Sequence, residues 1–183
     1  MSEAKYKPHN ERGRIQPGRF KGAERKMEII EQLERTKAET LKYFDLADED
    51  LQKNYGPGKW SVRYVLHHIA DSETILFYRI RRVIGEPKQV VWAFDADGWA
   101  EKLDYSTVPL ELARSIYLSS REGIIYYAGL HYEESDEIKF VHTETGIMTL
   151  KELFDHVARH NLRHVGNIEK ALLSQQKQQL SAP

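Results

Sequence analysis

From Leu150 to Ala171 apolar or inward-compatible residues recur every three or four positions: Leu150, Leu153, Val157, His160, His164, Ile168, Ala171. That spacing keeps one face of a long α-helix turned to a core. Thr149 and Glu152 ahead of it form a capping box, with Met148 and Leu153 at the staple positions, so the helix begins at Leu150. It is predicted to run to about Leu173, about 36 Å at 1.5 Å per residue. A helix this long with one apolar face needs partners, and three further segments supply them. The first runs from about Glu24 to Phe44, with Ile30, Leu33, Leu41 and Phe44 at helical spacing. The second starts behind Ser61 as N-cap, carries Val65, Ile69, Leu76, Ile80 and Val83, and stops near Gly85-Glu86-Pro87. The third begins near Pro109 and carries Ala113, Ile116, Tyr117, Ile124 and Ala128. Four amphipathic helices predict an all-α four-helix bundle.

The connections are of three kinds. A polar linker with a Gly-Pro-Gly stop joins the first two helices, and residues from Pro87 to about Thr107 read as a long irregular stretch. Between the last two helices, EIKFVHTETGIMT predicts a small hairpin turning at Glu144 to Gly146. Residues 1–25 read as a polar arm without regular structure, 26–175 as the bundle and 176–183 as a tail.

Two residues on the seam of the last helix are anomalous. His160 and His164 stand where a bundle places Leu or Ile, one turn apart and stacked on the same face. His68, one turn from Val65 and Ser72 on the second helix, also faces inward. Three buried imidazoles leave polar atoms unsatisfied unless something satisfies them, and a metal ion does so in one step. His67 is about 100° around the helix from His68 and faces a neighbouring element or solvent. His156 reads either as a partner of His160 or as a substitute for His164 in an alternative pair. Asp71, one turn after His68, is a candidate to orient an imidazole or to hold a metal-bound water, with a solvated surface role as the alternative.

Composition limits the chemistry. No cysteine is present, so thiolate ligands, disulfides and cysteine nucleophiles are excluded. Twenty-seven basic against 28 acidic residues leave a formal charge of -1, which gives no general attraction to nucleic acid or membrane. No segment approaches the roughly 20 apolar residues of a membrane span, and the N-terminal residues do not resemble a signal peptide, so the expected location is cytoplasmic. Trp92, Trp99, Tyr126 and Tyr127 read either as pocket lining or as packing residues.

The two histidine runs resemble signatures of the DinB-like superfamily. GKWSVRYVLHHIADSE is similar to its second-helix pattern, in which a Trp-Ser start leads to His-hydrophobic-x-Asp, and the histidine before Ile69 is the matching one. FDHVARHNLRHVGNIEK resembles its fourth-helix His-x-x-x-His pattern, and FDADGWAEKLDY and VHTETGIMTLKEL resemble the branch of metal-dependent hydrolases and bacillithiol-transferase-like proteins. The chain departs from many members in having Arg163 and Val165, rather than further histidines, beside the last candidate ligand. The resemblance implies an up-down-down-up bundle and a metal site made of His68, His160 and His164. It implies one divalent transition metal ion, zinc or nickel first and iron or manganese also compatible, and a low-molecular-weight thiol as a further cofactor in the transferase case. The expected activity is hydrolysis or thiol S-transfer on a small-molecule substrate, with a non-catalytic metal-binding stress-response protein as the alternative. A homodimer is the expected assembly. No catalytic residue beyond the candidate ligands is assigned.

Overall fold

The computed structural model describes residues 17–86 and 88–180, with side chains for residue 22 and for 24–86 and 88–173. Its elements are α1 (Pro17–Tyr43), α2 (Asp48–Leu51), α3 (Val62–Gly85), β1 (Val90–Val91), α4 (Ala96–Lys102), α5 (Leu110–His131), β2 (Lys139–His142), β3 (Gly146–Thr149) and α6 (Leu150–Leu180). The four long helices, α1, α3, α5 and α6, make the bundle.

Cross-helix contacts fix its topology. Lys26 pairs with Glu133, Lys37 with Glu122 and Asp45 with Arg114, so α1 and α5 run antiparallel. Glu73 meets Arg121 and Phe77 packs on Tyr127, so α3 and α5 run parallel. Thr40 reaches Asn161 and Tyr43 reaches Glu169, so α1 and α6 run parallel. The order is therefore up-down-down-up. A parallel α3–α5 pair requires a connection that travels back along the whole bundle. Residues 88–109 make that crossing and lay Phe94, Asp97, Trp99 and Tyr105 along it.

The helix ends follow from sequence. Ser61 caps α3, its hydroxyl accepting from the Tyr64 amide at 3.4 Å. At α6 the Thr149 hydroxyl accepts from the Glu152 amide (3.2 Å), while Glu152 Oε2 accepts from the Thr149 amide (2.7 Å). The hairpin forms as β2–β3, antiparallel from Lys139↔Thr149 to His142↔Gly146, and Gly146 takes φ +80°, which a side chain would resist. Four details differ from expectation. α1 begins at Pro17, inside the segment expected to be an irregular arm; residues 1–16 lie outside the described region. α6 continues to Leu180, through most of the expected tail. The connection after α3 is not wholly irregular: Asp95 accepts from the Gly98 amide and caps α4, and β1 joins β2 in parallel. The linker after α1 holds the single turn of α2.

Two apolar clusters fill the bundle, one around Leu33, Ile80, Ile124 and Phe154, the other around Val65, Leu66, Tyr117 and Ile168. Between them the Arg121 guanidinium, fully buried, binds Glu73 through two contacts (2.9 and 2.5 Å) and also donates to Leu33 O and Thr36 Oγ1. Burial alone would lower the Arg121 pKa, but Glu73, Tyr117 and Glu34 together outweigh it and the pKa lies above the ordinary value.

Candidate metal centre

His68 comes from the second turn of α3, and His160 and His164 come from successive turns of α6, which runs antiparallel to it. One ring nitrogen from each of the three lies within 4.8 Å of the other two. Nε2 of His68 and Nε2 of His160 are 3.3 Å apart. The imidazole rings are 4.5–5.2 Å apart, centre to centre. The structure thus brings together the three histidines singled out in the sequence.

The polar atoms here are short of partners. Nδ1 of His68, Nδ1 of His160 and both ring nitrogens of His164 are buried without a hydrogen bond among the described residues. Among the described residues Ser72 Oγ, 3.4 Å away, is the one side chain besides His160 that meets His68 Nε2. Burial holds the three imidazoles neutral, and their neighbours add to it. The His68 pKa falls to about 4, with the Arg163 charge also lowering it and Asp97 opposing. His164 falls to about 3 through burial, His68 and Arg163, and His160 to about 2 through burial and the other histidines.

These atoms suit a divalent ion. Two nitrogens each 2.0–2.1 Å from a tetrahedral zinc stand about 3.3 Å from one another. That is the His68–His160 separation. The imidazoles are already unprotonated, as ligation requires, and no cysteine competes.

The walls are aromatic on one side and charged on the other. Trp60 packs on His68 with ring centres 5.0 Å apart, Phe94 stacks beyond it at 6.4 Å, and Trp99 lies edge-on to Phe94. A cleft of about 440 Å³ opens beside His164 and is bordered by Tyr55, Trp60, Asp97, Arg163 and Asn167. Sequence reading assigned no site role to Trp60, Phe94 or Asp97. The Trp-Ser start of α3 was the available signal for Trp60. Phe94 and Asp97 reach the site only because the crossing connection passes over it.

The ambiguous residues separate cleanly. His67 faces away from the cluster, stacks on Tyr105 with centres 5.2 Å apart, and has its pKa lowered to about 4 by burial and Arg63. Asp71 does not orient an imidazole: it accepts the Tyr105 hydroxyl, on the His67 side of α3. Burial raises its pKa against that hydrogen bond. His156 is exposed and its ring stands 5.7 Å from that of His160, but it is not among the three that converge. Trp92 and Tyr126 are exposed, while Tyr127 packs against the core.

A bundle of this topology with three histidines converging on its α3–α6 seam defines a class of helical proteins built around a histidine centre. Residues 32–168 match the DinB superfamily, and the chain belongs to it. Two proteins of Oceanobacillus iheyensis, each named "Putative metal-dependent hydrolase", are similar. One is 31% identical over 69% of this chain and 73% of its own length, the other 30% identical over 76% and 79%. A protein of Halalkalibacterium halodurans with the same description is 25% identical over 70% of this chain and 74% of its own. The solved structure of YfiT from Bacillus subtilis, described as having an unusual four-helix bundle topology, covers 91% of both chains with a TM-score of 0.70 at 23% identity, a likeness of fold. No helix among the described residues is long and apolar enough to cross a membrane.

Proposed function

We propose that His68, His160 and His164 hold one divalent transition metal ion and that the protein is a metal-dependent hydrolase of small molecules. The observation that carries the reading is the convergence of three neutral imidazoles, two buried and one half-buried, beside an open cleft, which matches a catalytic centre with a free coordination position rather than a closed structural one. The description shared by the Oceanobacillus relatives supports the same class.

An ion bound there supplies Lewis-acid polarisation of a substrate oxygen and eases formation of a nucleophile near neutral pH. The chain supplies the rest. Trp60 closes the His68 side against water. Asp97 stands at the cleft with its carboxylate exposed and its charge felt at His68, placed to take a proton from the attacking group. Arg163 borders the same cleft and offers positive charge to an oxygen that becomes negative.

The test couples elemental analysis to turnover of an ester, amide and phosphoester panel. Wild-type protein should hold about one equivalent of metal, and His68→Ala, His160→Ala and His164→Ala should each lose it and the activity. Asp97→Asn should keep the metal and lose about 10²–10⁴ in kcat. Full metal content and activity in all three histidine variants would overturn the assignment. Turnover that needs an added small thiol would instead establish S-transfer, the other reaction implied by the sequence resemblance.

A further inference from the structure

A second cavity, of about 230 Å³, lies on the other side of the histidine cluster, between α3, the stretch after β1 and the β2–β3 hairpin. Phe94, stacked toward His68, and His156, beside His160, form its inner wall. Ala93, Met148 and Leu153 make much of the rest apolar.

Arg79 also lines this cavity, and it is only 8% exposed. One of its N–H groups donates to the Trp92 carbonyl. No carboxylate lies within 4.0 Å of its guanidinium among the described residues. The contrast with Arg121 is direct. Both guanidinium groups are buried on the bundle, but Arg121 has Glu73 as counter-charge and two further acceptors. A buried guanidinium with one acceptor and no counter-charge is costly to keep. Tethering Trp92 accounts for one of its five N–H donors. The others keep contact with solvent, since none of the buried unpartnered atoms belongs to Arg79, and Arg79 lines the cavity.

The hairpin adds a second donor and one competitor. Nδ1 of His142 accepts the Glu144 amide at 3.3 Å, so the neutral ring carries its proton on Nε2. Glu144 also lines the cavity; its carboxylate acts on Arg79 through space without pairing with it.

We propose that this cavity is an oxyanion subsite, in which Arg79 and the His142 Nε2–H bind the carboxylate or phosphate group of a small molecule. The shape also orients the ligand. A molecule anchored at Arg79 extends past Phe94 toward His160, so the hydrolase acts on anionic substrates; this second statement rests on the metal-centre reading, whereas anion binding does not.

The experiment titrates the full-length protein with acetate and, separately, inorganic phosphate, following side-chain and amide NMR signals of wild type, Arg79→Gln, Glu144→Gln and His160→Ala. Saturable shifts at the Arg79 Nε–H and the Thr143–Thr145 amides are expected with at least one anion, and the tighter of the two assigns the group. Arg79→Gln should weaken binding about tenfold or more, the loss of charge-assisted hydrogen bonds. Glu144 is in an exposed turn, so Glu144→Gln tests the charge without disturbing the core and should tighten binding about two- to fivefold. In chelator, His160→Ala should bind the anion as metal-free wild type does, which separates this subsite from the metal centre. Absence of saturable shifts with both anions, or wild-type affinity in both Arg79→Gln and Glu144→Gln, would overturn the proposal.

Discussion

Replacing His164 by leucine should make the metal-free protein more stable and the zinc-loaded protein less stable. Both His164 nitrogens are buried, and neither has a hydrogen bond among the described residues. A buried polar group left unsatisfied costs about 1–3 kcal/mol. Leucine has a similar reach and continues the seam between Val157 and Ile168, so His164→Leu recovers about that amount. For a chain of this size 1 kcal/mol moves Tm by about 2–4 °C, which places the variant about 2–12 °C above wild type in chelator. Zinc at a thousand times its Kd stabilises wild type by about 4.1 kcal/mol, and a two-histidine remnant gains little of it. The order therefore reverses with metal, leaving wild type ahead by about 1–3 kcal/mol. Differential scanning calorimetry of both proteins, in chelator and in saturating zinc, reads the crossing directly. A His164→Leu protein that melts below wild type in chelator would refute the reasoning, because the histidine would then be satisfied without metal.

Three other outcomes follow from features described above. His68 and His164 have folded pKa values near 4 and 3, below the ordinary 6.5, so below about pH 6.5 the unfolded chain binds more protons than the folded one. Stability of the metal-free protein should then decline as pH falls, by up to about 1.4 kcal/mol per pH unit for each group; equal urea midpoints at about pH 7.5 and about pH 5.5 would contradict it. Arg121→Leu leaves Glu73 buried without its counter-charge and should cost about 3–5 kcal/mol, while adding Glu73→Leu should restore much of the loss, as urea unfolding would measure. Thr149→Ala removes the hydroxyl that caps α6 and should cost about 1 kcal/mol, visible as a drop of a few degrees in Tm.

The parts of the fold that were legible in sequence are those set by local rules. Ser61 and the Thr149–Glu152 pair mark helix starts because capping is satisfied within four residues. The seam of α6 was legible because a period of three or four places side chains on one face, and His160 and His164 broke its chemistry without breaking its period. α4 and α2 have 7 and 4 residues, too few for a periodic signal. β1 pairs with β2 across some 50 residues, which no local pattern reports. Asp71 shows the limit at the site itself. Its spacing from His68 is right for a supporting carboxylate, but the crossing connection brings Tyr105 to it, and the hydroxyl claims it. Phe94, Asp97 and Arg79 acquire their surroundings from the same crossing, so their roles were invisible until the parallel α3–α5 pair was known.

That parallel pair also bears on the search for the site during folding. Glu73 and Arg121 are 48 residues apart in the chain, whereas His68 and His160 are 92 apart. Closing the longer loop carries the larger entropic cost, by about 0.6 kcal/mol for each doubling of its length. The α3–α5 contact therefore has the shorter search, by about 0.6 kcal/mol for this near doubling. His68 meets His160 and His164 only where α6 lies on α3, so an ion offered during refolding would find the three imidazoles together only once that contact has formed.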